Sequence, residues 1–202
     1  MEKKTAFEQA ALMWKQNAQA LQNLNQIVNP DTYQSLYDLI RACKGRIATM
    51  GMGTSSIAAR KIAHMLCVAN VPSFFVSAGD AAHGALGSVQ KEDIVIAVSK
   101  GGNTEELVNL IDSLKQKHVT LVVITQNPES QLAKAADLVL HISIEESDHK
   151  RMLPTASILC IISIFDAIAD ELTKRPEFSE EIFYLNHNHG AVGSLLKEKI
   201  RK

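Results

Sequence analysis

The sequence predicts an α/β protein, a three-layer αβα sandwich around a five-stranded parallel sheet, preceded by two helices. From Arg46 onward short apolar runs alternate with amphipathic stretches, and that alternation calls for crossover connections between parallel strands. Two of the runs, Ile94-Val95-Ile96-Ala97-Val98 and Leu121-Val122-Val123-Ile124, show no polar alternation, as strands covered by helices on both faces do. The 202 residues, 46% hydrophobic and 21% charged, suit one compact domain that buries roughly 70% of the surface its unfolded chain exposes. Residues 1–44 are expected to form an N-terminal helical segment and 45–202 the core with C-terminal helices.

Each element has its own reason. Phe7, Ala11, Trp14, Ala18, Leu21 and Val28 recur at steps of three and four, interrupted only at Asn25, so they mark one helix with a narrow apolar stripe that needs a helical partner. Asn29, Pro30 and Asp31 restart a helix, with Asn29 as cap and Pro30 in its first turn, running through Leu36, Leu39 and Ile40 to about Cys43. Strands follow over residues 46–50, 73–76, 94–98, 120–125 and 138–141, most of them succeeded by a helix. Residues 154–172 are apolar nearly all round in their first half, which implies a central helix or a subunit contact, and hence an oligomer.

Composition narrows the function. Twenty-one basic residues against twenty-two acidic ones, without long runs of one sign, supply no reason to track nucleic acid. Residues 1–9 are charged and lack a signal-type apolar core, and the most apolar run, 158–165, is too short to span ~30 Å of hydrocarbon; neither secretion nor membrane insertion is expected. Cys43, Cys67 and Cys160 are odd in number and sit among apolar neighbours, like unpaired thiols of the reducing cytoplasm.

In open parallel sheets, ligands gather beyond the carboxyl ends of the strands. Two segments there carry glycine and hydroxyl clusters that open helices: Gly51-Met52-Gly53-Thr54-Ser55-Ser56 after the first strand, and Ser99-Lys100-Gly101-Gly102-Asn103-Thr104-Glu105-Glu106 after the third. A helix's first N–H groups lack internal partners and carry partial positive charge, glycine admits a close approach, and hydroxyls add donors, so both clusters suit a phosphate. Plain capping competes with this reading: Ser55 or Asn103 as cap, with Asn103 and Glu106 spaced as a capping box. Two such loops in one sheet favour a phosphate-bearing ligand at a doubly wound switch point. Nucleotides fit less well, because the first loop reads Gly51-x-Gly53-x-x-Ser56 without the third glycine of a dinucleotide fingerprint, Phe75-Val76-Ser77 offers no acid for a ribose, and no Walker run occurs.

Met50-Gly51-Met52-Gly53, Gly79-Asp80-Ala81-Ala82-His83-Gly84-x-Leu86-Gly87, the 99–106 loop, Pro154-Thr155-Ala156-Ser157 and His187-x-x-Gly190-Ala191-x-Gly193 together resemble the sugar isomerase (SIS) domain, and most closely its D-arabinose 5-phosphate isomerase branch. The resemblance recurs in order at five places over nearly the whole chain. It implies a flavodoxin-like αβα sandwich, a homotetramer with sites shared between subunits, and aldose-ketose isomerisation of a sugar phosphate. By the same resemblance the phosphate falls to Ser99, Gly101, Gly102, Asn103 and Thr104, with Gly53, Thr54, Ser55 and Ser56 facing the sugar. Glu106 matches a glutamate assigned to catalysis, His83 a histidine near the site, and His187 the main catalytic histidine; a further acid falls at Glu145 or Glu146.

Three departures stand out. The family's first-loop lysine is Thr54 here, and Gly53-Thr54-Ser55 is similar instead to the first loop of the isomerase domain of glucosamine 6-phosphate synthase. Asn188-His189 replaces the usual Pro-Gly after the histidine, and the paired CBS domains that often follow are expected to be absent.

Shifting a carbonyl from C1 to C2 requires ring opening, removal of a proton beside the carbonyl and its return through an enediol. A glutamate raised by partial burial can act as base and a histidine titrates near neutrality, so Glu106 or Glu146 with His187 forms an adequate set without any cofactor. Each residue has a plainer reading. His187 can bond the local backbone, His83 can satisfy carbonyls at a helix end, and Glu106 can complete a capping box. His187-x-His189 with His149, Glu145, Glu146 and Asp148 is a weak metal pattern, and no metal is expected. The rival to an isomerase is a phosphosugar-binding module that keeps the cradle and has lost the acid-base set.

Overall fold

The structure, a computed structural model, describes residues 4–200. Its centre is a five-stranded sheet, all neighbours parallel, in the order β2-β1-β3-β4-β5: β1 (Ile47–Gly51), β2 (Ser73–Phe75), β3 (Ile94–Val98), β4 (Thr120–Thr125) and β5 (Leu138–His141). The expected strands lie where the apolar runs put them, to within one residue at each end. Ile47 pairs with Ile94 and Ile94 with Thr120, so the three central strands start level and deliver their carboxyl ends to one edge.

Helices cover both faces, which is why β3 reads as an unbroken apolar run. Ile94, Ile96 and Val98 point into one core with Ile62, Leu66 and Phe165, while Val95 and Ala97 point into the other with Leu107, Leu114 and Leu132. The first core is closed by α3 (Pro30–Ala42), α4 (Thr54–Val68) and α9 (Ala156–Thr173). The second is closed by the short helices α5 (Ala78–Ala81), α6 (Glu105–Val108), α7 (Ile111–Gln116) and α8 (Gln131–Ala135). The all-round apolar segment is α9, packed against both α4 and α1 (Ala6–Gln22), and its middle is fully buried at Cys160, Phe165 and Ile168.

The opening stripe behaves differently from its expectation. A single helix to Val28 is interrupted at Asn23, whose N–H closes α1 on Gln19 and whose side-chain oxygen accepts from the Gln19 amide; a one-turn α2 (Leu24–Ile27) follows. Of the stripe, Leu21 and Val28 pack on the core, joined there by Leu24 and Ile27 of α2. Phe7 and Trp14 remain exposed, ring edge to face at 5.9 Å.

At the opposite edge from the loops, buried Asp93 fastens β3 to β1, accepting from the Arg46 and Gln90 main-chain N–H groups at 2.7 and 2.8 Å. Beyond α9 the chain forms α10 (Glu180–Asn186) and α11 (Gly190–Ile200), which pack on each other, with α10 also touching α4. Among the described residues no helix is long and apolar enough to cross a membrane.

Phe165 is the largest fully buried side chain of α9 and packs within the first core. Phe165→Ala is expected to cost about 3–5 kcal/mol of stability, measured by urea denaturation, with the sheet retained by circular dichroism in the folded fraction.

Candidate functional site

Strand order fixes where the site lies. The chain moves outward from β1 to β2, then returns to place β3 on the other side of β1, so the loops after β1 and β3 diverge to opposite faces and open a crevice between them. Both expected cradle loops border that crevice.

The helix that follows each loop begins uncapped. Gly53 stands at the N-cap of α4 with φ +52° and ψ −129°, a conformation that suits glycine, and no side chain caps the helix; Ser56 donates back to the Gly53 carbonyl instead. Thr104 holds the equivalent position of α6, again with no side-chain cap. The capping role expected of Ser55 or Asn103 is therefore not taken up. Asn103 Oδ1 accepts instead from the Gln131 N–H across the loop at 2.9 Å, because the short β4–α8 connection lies closer to it than its own helix does. The Asn103–Glu106 capping box does not form, and Glu106 stands exposed at the start of α6 with its carboxylate free of that role. First-turn N–H groups left this way favour an anion.

The third loop is held in shape from within. Ser99 is buried, its hydroxyl 2.8 Å from that of Thr104 and accepting from the Gly102 N–H at 3.1 Å. Gly102 has φ +67°, and a Cβ there would lie 2.0 Å from the Ser130 hydroxyl, whereas Gly101 faces open space. Ser130 cannot yield easily, since its hydroxyl caps α8 by accepting from Ala133.

Glu146 is the acid that the fold brings to this edge. Its side chain is 1% exposed, while that of Glu145 faces solvent and pairs with Arg151. Lys100 Nζ donates to Glu146 Oε1 at 2.7 Å, and the carboxylate also accepts from the Thr155 and Ser157 N–H groups and from both their hydroxyls. Two of these donors are main-chain groups at the start of α9, so Glu146 serves that 18-residue helix as a distant anionic cap. Burial pushes its carboxyl upward, but the hydrogen bonds from Lys100 and Ser157 outweigh burial and the net shift is downward. The raised base expected for a partly buried glutamate is thus not found at Glu146.

Sequence reasoning misses three participants: Lys100, Thr155 and Ser157. Lys100 reads as a spacer within a glycine cluster, and nothing local links it to a carboxylate 46 residues away. The Pro154-Thr155-Ala156-Ser157 run does carry a signal, hydroxyls at the start of a helix. Ser55, Lys100, Thr125, Gln126, Pro154 and Ser157 line a cavity of about 20 Å³, with isoleucines behind. That is room for one water, against the several hundred Å³ of a ligand pocket.

The two histidines lie apart. His83 follows α5, which packs on α6, so its exposed ring shares the edge that carries Glu106. His187 ends α10, its ring stacked on Phe183 at 5.8 Å and its N–H donating to the Phe183 carbonyl at 2.8 Å. Asn186, beside it, donates to Cys67 and Asn70 at the far end of α4. Fifteen helical residues separate that end from Gly53, a distance of about 20 Å. Within one chain the structure does not bring His187 to the loops.

Comparison with known proteins agrees with the fold. A family model described as the SIS domain matches residues 39–170. The arabinose 5-phosphate isomerase KdsD of Escherichia coli K12 is 43% identical over 155 residues, covering 76% of this chain and 47% of the relative. KdsD of Yersinia pestis is 36% identical over 196 residues, 96% of this chain and 60% of the relative. The chain thus spans about half the length of the curated relatives it matches. Among solved structures, a candidate sugar-phosphate isomerase from Listeria monocytogenes is 37% identical with a TM-score of 0.89, covering 94% of this chain and 100% of that one. A protein of E. coli CFT073 in complex with arabinose 5-phosphate is 30% identical with a TM-score of 0.86, covering 93% of this chain and 100% of that one.

Gly102→Ala is expected to lower stability by about 2 kcal/mol or more and to abolish retention of inorganic phosphate by calorimetry, while Gly101→Ala leaves the denaturation midpoint unchanged. The Glu146 network predicts an acid limb. Its folded-state pKa is below the ordinary 4.5, so the unfolded chain takes up the proton first, and the stabilisation present above pH 4.5 is lost as pH falls through the folded value. Urea midpoints measured between pH 7 and pH 3 should fall less steeply for Glu146→Gln than for the unaltered protein.

Proposed function

The chain belongs to the SIS domain family, and on that premise we propose that it is a phosphosugar aldose-ketose isomerase, with arabinose 5-phosphate and ribulose 5-phosphate as the pair of first choice. The observation that carries the reading is the pair of uncapped helix starts flanking one crevice at the strand-order switch. The arabinose 5-phosphate complex of the E. coli neighbour supports the substrate class.

In this reading the phosphate sits on the main-chain amides of Gly101, Asn103 and Thr104, while the Gly102 N–H holds the loop's shape by donating to Ser99. The Ser99 and Thr104 hydroxyls, 2.8 Å apart, share one hydrogen bond beside those amides, and Gly53, Thr54, Ser55 and Ser56 face the sugar. Glu106, freed from capping, takes the proton beside the carbonyl and returns it to the neighbouring carbon through the enediol. His83, on the same edge, assists ring opening. His187 belongs to the site of a second copy of the chain. Its distance from its own cradle, the one-water cavity of a single chain, and the exposed Leu185, Val192 and Leu195 on the α10–α11 arm all support sites completed between subunits of a homotetramer. Three unpaired cysteines support a cytoplasmic location.

Thr54 in place of a lysine is the observation behind the second reading, a phosphosugar-binding module without turnover. Incubation with arabinose 5-phosphate in heavy water, followed by NMR, separates the two. Ribulose 5-phosphate and deuterium at C2 are the expected products; binding without either result sinks the isomerase. His187→Ala should lower turnover by about 100-fold or more with ligand affinity retained. Co-refolding inactive His187→Ala with inactive Glu106→Gln should restore part of the activity, since mixed interfaces regain one complete site.

A further inference from the structure

We propose that Lys100 is the cation that meets the reacting end of the sugar, and that Glu146 is a positioning residue which holds the Lys100 ammonium in place. This rests on the isomerase reading above.

Five observations converge on it. Lys100 is the only charged side chain among the residues lining the crevice cavity, beside Ser55 of the first loop and one residue before the amides of the third. Its main chain is locked, the carbonyl accepting from the Thr125 hydroxyl at 3.0 Å and the Gln126 N–H at 2.9 Å, so the side chain starts from a fixed point. The ion pair is lopsided: the Lys100 side chain is 41% exposed and the Glu146 side chain 1%. An ammonium has three protons, of which the contact with Glu146 uses one, leaving two to donate to a ligand. Finally, Glu146 is saturated by Lys100, Thr155 and Ser157, so it can abstract no carbon-bound proton without dismantling the start of α9.

With its phosphate on the free amides of the third loop, the sugar would extend toward Lys100 and Ser55, which line one cavity beside that loop. As the proton leaves carbon, negative charge grows on the carbonyl oxygen. A fixed ammonium donating to that oxygen stabilises the enediolate and keeps its own proton throughout. The cation that the first loop lacks at Thr54 is thereby supplied from the third.

The test compares Lys100→Ala, Glu146→Gln and the double variant. Lys100→Ala should lower kcat/KM by about 100-fold, leave affinity for inorganic phosphate unchanged, and regain turnover when ethylammonium is added. Glu146→Gln should lose activity too, but the double variant should be no slower than Lys100→Ala alone, because Glu146 acts only through Lys100. Wild-type turnover by Lys100→Ala, parallel loss of phosphate affinity, or a double variant slowed by the product of the two single effects would each overturn the proposal. Should Lys100→Ala fail to fold, Lys100→Met/Glu146→Gln leaves no buried charge unpaired and supplies the same comparison with Glu146→Gln. If the unaltered protein turns over no sugar phosphate, the isomerase reading falls while Lys100 is still tested. Its removal should weaken arabinose 5-phosphate binding about tenfold relative to inorganic phosphate, and equal affinities reject it.

Discussion

Every parallel strand delivers the chain to the same edge, where the next helix begins with amides that no helical carbonyl can reach. In most such loops a serine, threonine or asparagine absorbs the deficit, and here Ser77 and Ser130 do so for α5 and α8. At α4 and α6 nothing does, although hydroxyls stand at both starts. The two unfilled starts are those on either side of the strand-order reversal, so the unmet hydrogen-bonding demand of the fold converges on one crevice. The rest of the edge is arranged around that demand. The buried Ser99 shapes the loop, Gly102 presses it against Ser130, and the segment after β5 folds over to place Glu146 behind Lys100.

Where local chemistry decides the outcome, the sequence is readable. Unbroken apolar runs at β3 and β4 name the central strands, Asn29 with Pro30 names the start of α3, and the glycine and hydroxyl clusters name both loops. Local chemistry also misleads at two places. The spacing of Asn103 and Glu106 fits a capping box, yet Asn103 bonds across to Gln131, a residue brought near only by the β4–α8 turn. The periodicity from Phe7 to Val28 fits one helix, yet Asn23 ends it early.

What stays hidden is long-range. No periodicity joins Lys100 to Glu146, or Glu146 to the start of α9, because each contact forms only after β3, β5 and α9 have been stacked. A catalytic role for His187 is suggested by resemblance alone, since its residue type indicates proton chemistry and says nothing of distance. The fold sets it at the far end of α4, away from the loops of its own chain.

The third loop presents main-chain amides and hydroxyls, groups with no proton to gain or lose across the range in which cells work. An anion held there would therefore carry the whole acidity dependence of the association in its own second ionisation, near pH 6 for a phosphate ester. Such a grip would also survive drift at exposed side chains, since the backbone at residues 101, 103 and 104 presents the same amides whichever residues occupy the outward positions. The irreplaceable letter is Gly102, the one place where the loop has no space to spare.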